Sequence, residues 1–132
     1  MPRERSQLKD RLYDLHARLC KAMASEKRLE ILDNLKDGEM RVDELAESLN
    51  TSKANVSQHL AVLREVGVVC SRRQQRFVYY RVWDRRILQA CALIRQVMLD
   101  RLRQEESRHR EIVEFLEQEN AGDSETQADA HS

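Results

Sequence analysis

Between Ser52 and Val66 the sequence SKANVSQHLAVLREV carries two kinds of side chain at helical spacing. Val56, Leu60 and Leu63 fall on one side and form an apolar stripe that can anchor a helix to a core. Ala54, Ser57, Gln58 and Ala61 fall on the other. That outward face is small and polar with little charge, whereas an ordinary surface helix is richer in Lys and Glu. Small residues admit a helix to a DNA major groove about 12 Å wide, and hydroxyl and amide groups hydrogen-bond base edges there, Gln commonly to adenine. Asn55 sits at the flank and offers the same chemistry. Lys53 lies at the helix start, where its charge and the free N–H groups both favour phosphate. Ser52 precedes it as the expected N-cap and as a further candidate DNA contact. The chemistry on offer is recognition of a polyanion, not bond-making.

A second basic element follows. GVVCSRR and RFVYYRV are two β-rich runs around Gln74 and Gln75, and they predict a two-stranded hairpin. Arg72, Arg73 and Arg76 flank its tip. The turn lacks an Asn-Gly pair, so a longer, looser tip is expected. A basic ribbon beside a recognition helix can grip the DNA backbone or enter the minor groove.

The remaining elements must position these two. Leu8, Leu12, Leu15 and Leu19 predict a first amphipathic helix over 4–22. Ser25 caps a second helix that carries Leu29, Ile31, Leu32 and Leu35, ended by Gly38. A short third helix over 42–49 has Asp43 and Glu44 in its first turn, where they suit the helix dipole. With the turn at 50–52 and the helix at 53–66, it makes a helix-turn-helix. Asp84 caps a long last helix that is apolar on several faces from Ile87 to Leu102. One small domain cannot cover such a helix, so a partner subunit is the expected cover. Residues 1–102 read as the DNA-binding and dimerisation domain, mainly α with the hairpin. Residues 103–119 read as a charged helical extension with Ile112, Val113, Phe115 and Leu116 as a small patch. Residues 120–132, NAGDSETQADAHS, have the composition of a disordered acidic tail.

Bulk properties agree with this division. Residues 1–102 hold 20 Lys and Arg against 14 Asp and Glu; residues 103–132 hold 3 against 9. The net charge of zero thus hides a basic body, which favours a polyanionic partner, and an acidic tail. The sequence contains no apolar run of membrane-spanning length and its N-terminus has no signal-peptide pattern, so a cytoplasmic protein is expected. No Gly-rich phosphate loop, nucleophile elbow or zinc motif is present, and His16, His59, His109 and His131 are scattered. Neither an enzyme nor a cofactor is expected. The alternative is a winged-helix module that binds protein and not DNA, although such modules tend to lose the small polar face kept here.

The segments LCKAMASEKRLEILDNL, VDELAESL, SKANVSQHLAVLREVGVV and RFVYYRV together resemble the ArsR/SmtB family of bacterial repressors over about residues 12–102. The resemblance implies a winged-helix homodimer paired through its first and last helices and bound to a pseudo-palindromic double-stranded DNA operator. It implies release by an inducer. It places DNA contacts on Lys53, Ala54, Asn55, Ser57 and Gln58, with the Arg72–Arg76 hairpin, Gln74 and Gln75 included, on the backbone.

Two departures bear on the inducer. Metal sensors of that family often carry a Cys-x-Cys at the start of the third helix, where this chain has Met40-Arg41-Val42-Asp43-Glu44. Others bind zinc through Asp and His pairs on the last helix, where residues 84–102 hold Asp84 and Asp100 but no histidine. Cys20 and Cys91 lie on the two helices expected at the interface, so they are candidate sensing thiols, open to a disulfide or a persulfide bridge. His16 precedes Cys20 by one helical turn, so His16, Cys20 and Cys91 are also a partial soft-metal set. Plain packing of the cysteines is the competing reading. Cys70 is expected to pack.

Overall fold

Ser25 and Ser52 each begin a helix, and both do so through their side chains. Ser25 accepts a hydrogen bond from the Arg28 amide at 3.4 Å, and Ser52 accepts one from the Asn55 amide at 3.1 Å. Each satisfies a donor that the first helical turn would otherwise leave open. The computed structural model describes residues 2–130, with side chains described over 2–122. In chain order it contains α1 (Pro2–Met23), α2 (Glu26–Asn34), a 3₁₀ turn (Leu35–Asp37), β1 (Met40–Arg41), α3 (Val42–Ser48), α4 (Lys53–Glu65), β2 (Val69–Gln74), β3 (Phe77–Val82) and α5 (Arg86–Ala130). This is the winged helix-turn-helix arrangement: α3 and α4 are the paired helices, and β2 and β3 are the wing.

The core lies among α2, α3, α4 and the sheet. Ile31, Leu32, Leu35, Leu45, Val56, Leu60, Leu63, Val68 and Val69 are almost wholly shielded. The apolar stripe of α4 is therefore its inner face, as its spacing predicts. Leu19 and Met23 of α1 and Ile87 and Leu88 of α5 pack against the edge of this cluster.

Two turns fix the direction of α4. After α3, Asn50 adopts φ 51°, a left-handed conformation that its short side chain tolerates. The Asn50 amide bonds to the Glu47 carbonyl at 3.2 Å and the Thr51 amide to the Ala46 carbonyl at 3.0 Å. After α4, Gly67 at φ 79° closes the helix the same way: its amide reaches the Arg64 carbonyl at 3.0 Å, and the Val68 amide the Leu63 carbonyl at 2.9 Å. Both are Schellman closures, which satisfy terminal carbonyls and reverse the chain sharply.

Two findings differ from the sequence-based expectations. The sheet has three strands, not two, in the order β1-β3-β2, because Met40 and Arg41 pair with Tyr80 and Tyr79. A two-residue strand is too short to leave an alternating pattern. The wing tip is tight, not loose: Gln74 pairs directly with Phe77, and Gln75 takes φ 57° to make a two-residue turn. The α5 backbone is helical to Ala130, which lies within the stretch 120–132 read from its composition as a tail. Residues 131 and 132 of that stretch lie outside the described residues.

The contacts divide the chain into Met1–Ala90 and Cys91–Ser132. The first unit contains the helix-turn-helix, the wing and nearly all of the core. The second is the α5 helix beyond its first turn. Its Leu93, Ile94, Val97, Met98, Leu99 and Leu102 are exposed, as are Leu8, Leu12, Tyr13 and Leu15 on α1 of the first unit. Burying a side chain of this kind contributes about 1.5–3 kcal/mol, a gain that the single chain forgoes at each position. No described helix is long and apolar enough to cross a membrane.

Candidate nucleic-acid interface

Lys53, Ala54, Ser57, Gln58 and Ala61 are all exposed, and Val56, Leu60 and Leu63 between them are buried. The helix thus presents one continuous polar face while its other face is held by the core. Among the described residues, no hydrogen bond engages the side chains of Ser57 or Gln58. Their donors and acceptors are therefore open to a ligand. Asn55 differs. It is half-buried, and its Nδ2 donates to Thr51 Oγ1 at 3.0 Å, which ties it to the turn. Ser52 is exposed, and its hydroxyl oxygen is occupied as the α4 cap.

Arg72, Arg73, Gln74, Gln75 and Arg76 are all exposed at the end of the wing. Their environments differ sharply. Arg73 Nε donates only to the Gln75 carbonyl, at 3.3 Å. The Arg76 guanidinium lies over the Phe77 ring, 5.2 Å from its centroid. Arg72 is held by a carboxylate: its Nε donates to Glu39 Oε2 at 2.8 Å and Oε1 at 3.1 Å, and its Nη2 also pairs with Oε1. Its Nη1 donates to Gln74 Oε1 at 2.8 Å, and its guanidinium lies 4.7 Å from the Tyr79 ring centroid. The hydrogen bond from Arg72 holds the Glu39 carboxyl below its ordinary pKa.

Sequence spacing did not reveal Glu39, which is 33 residues from Arg72. Nor did it reveal Arg28 and His59, which join α2 to α4. Tyr79 is the ring surface under Arg72.

The cysteines are separated by exposure. Cys20 is exposed, Cys70 is half-buried, and Cys91 is buried. Burial raises the Cys91 thiol pKa, with Arg95 opposing weakly, so the protonated form is favoured. Among the described residues, no group of three His, Cys, Asp or Glu side chains is placed to hold a metal ion.

Residues 25–71, which run from the α2 cap to the first wing strand, match the family described as bacterial regulatory protein, arsR family. A solution structure of a homodimeric winged helix-turn-helix DNA-binding domain from Mycobacterium bovis, described as a possible ArsR-family transcriptional regulator, superimposes with a TM-score of 0.67. It is 34% identical, and the likeness covers 71% of this chain and 87% of that one. The chain belongs to the ArsR family. Reduced HlyU from Vibrio cholerae is a second structural relative of the same fold, with a TM-score of 0.60, 35% identity, and coverage of 69% of this chain and 96% of that one.

Curated relatives agree. The transcriptional activator HlyU of Vibrio cholerae is 48% identical over 62 residues, covering 47% of this chain and 57% of the relative. The transcriptional repressor SdpR of Bacillus subtilis is 40% identical over 60 residues, covering 46% and 67%. The matched segments thus span between about half and two thirds of the length of these curated relatives. These ArsR-type relatives are transcriptional regulators, not enzymes. The family match covers α2, β1, α3, α4 and the start of β2; α1, β3 and α5 lie outside it.

Proposed function

We propose that this protein is a homodimeric transcriptional repressor that docks α4 in the major groove of a double-stranded DNA operator and lays the wing on the backbone. One observation carries the reading: the outward face of α4 is small, polar, exposed and uncommitted to the protein's own structure. Ser57 and Gln58 read base edges, Ala54 allows close approach, and Lys53 meets phosphate at the helix N-terminus. Asn55 and Ser52 hold the turn that aims the helix.

Dimerisation is supported by the exposed apolar faces of α1 and α5 and by the homodimeric state stated for the Mycobacterium bovis domain. A dimer places two recognition helices for half-sites about one DNA turn apart. The experiment is a titration of labelled duplex from the protein's own upstream region against a scrambled duplex, at one salt concentration. Preference for the upstream duplex supports operator recognition; equal affinity for both counts against it.

For the inducer we infer a thiol response that starts at Cys20. Cys20 is the exposed thiol, whereas Cys91 is buried and kept protonated, so an oxidant or polysulfide meets Cys20 first. Bridging to Cys91 then requires α5 to expose that residue.

A further inference from the structure

We infer that Glu39 is a positioning residue of the wing: it fixes Arg72 as an internal strut, so that the wing's hold on phosphate falls to Arg73 and Arg76. This rests on the DNA-binding reading above and divides the wing arginines into two kinds.

The geometry is a clamp across the sheet. Glu39 immediately precedes β1 and Arg72 lies on β2, with β3 between them. Neighbouring strands are about 4.8 Å apart, so the pair spans roughly two such spacings. The guanidinium crosses that gap over Tyr79, its cross-strand neighbour in the register. Three of its groups are committed: Nε and Nη2 to Glu39, and Nη1 to Gln74. The clamp ties the two-residue β1, which has few ladder bonds of its own, to the strand that leads to the wing tip.

A phosphate could recruit Arg72 only by displacing a carboxylate from it. The Glu39 charge would then be left beside the DNA backbone without its partner, although Arg81 also lies near enough to stabilise it. Arg73 and Arg76 face no such exchange. Neither is paired with a carboxylate among the described residues, and their present contacts are a carbonyl and a ring. Each can meet phosphate without releasing an anion of the protein.

The salt dependence of DNA binding separates the two kinds. Each phosphate neutralised contributes a slope of about 0.9 in log K against log salt. Binding of the full chain to one random-sequence duplex is measured over a range of salt for the wild type and for single variants. Arg73→Ala and Arg76→Ala should each make the slope shallower by about 0.9. Arg72→Ala and Glu39→Gln should leave the slope unchanged and weaken binding by about two- to five-fold, the scale of one exposed ion pair. The double variant Glu39→Arg with Arg72→Glu should recover wild-type affinity and slope, because it rebuilds the clamp with its charges exchanged. The inference is overturned if Arg72→Ala makes the slope shallower as Arg73→Ala does. It is also overturned if Glu39→Gln tightens binding with a steeper slope, which would mean that a freed Arg72 takes phosphate. If Arg73→Ala and Arg76→Ala leave the slope unchanged, the wing is not on the DNA, and the broader reading falls with the inference.

Discussion

Arg28 Nε donates a hydrogen bond to His59 Nδ1 at 3.2 Å, and Arg28 Nη1 donates another to the Ala22 carbonyl at 2.8 Å. One guanidinium therefore joins the end of α1, the start of α2 and the middle of the recognition helix. The bond requires an unprotonated Nδ1. Burial, then Arg28, then Lys27 lower the His59 pKa.

The first prediction is a pH dependence of stability. A histidine whose folded pKa lies below its unfolded value binds fewer protons when folded, so stability rises with pH in that window. The contribution is fully present above about 6.5 and is lost as pH falls from there through the lowered folded value. Urea unfolding from pH 8 to pH 5 should show declining stability, and His59→Gln should flatten that decline. An identical pH profile in the variant would show that His59 has no part in it.

A second prediction concerns association. Ile94 is 62% exposed on α5, and the proposed dimer covers it. Ile94→Asp would bury an unpaired charge there, a change that costs several kcal/mol. Sedimentation should show the wild type as a dimer at micromolar concentration and the variant shifted to monomer, with operator affinity falling in step. A well-folded wild-type monomer would refute the dimer.

The thiols give a third. A small alkylating reagent should modify Cys20 quickly and Cys91 far more slowly in the native protein, with the two rates converging in denaturant. Treatment with peroxide or polysulfide, followed by mass analysis, then shows whether a bridge forms and operator affinity drops. Cys20→Ser should abolish any such response. A full response in that variant would move the inducer site elsewhere.

Much of this arrangement was legible in the sequence because it follows from short-range rules. The stripe of Val56, Leu60 and Leu63 identified the buried face of α4, and Ser25 and Ser52 identified two helix starts. Other features depend on residues distant in the chain. The strand at Met40 and Arg41 exists only because β3 is there to pair with it, and the Glu39–Arg72 clamp needs the whole sheet to be assembled. Gln75 closes a tight turn without glycine, so turn chemistry misjudged the wing tip. The thiol reading came from helix positions alone, and position could not distinguish an exposed Cys20 from a buried Cys91.

The most direct test of the central claim is equilibrium binding of Ser57→Ala and Gln58→Ala to the operator and to scrambled DNA at the same salt. Both side chains are exposed and distant from the core, so folding should be unaffected. Each variant should lose about 1–3 kcal/mol on the operator, the worth of a base contact, and almost nothing on scrambled DNA. Equal losses on the two duplexes, or no loss on the operator, would contradict direct reading of DNA by this face of α4.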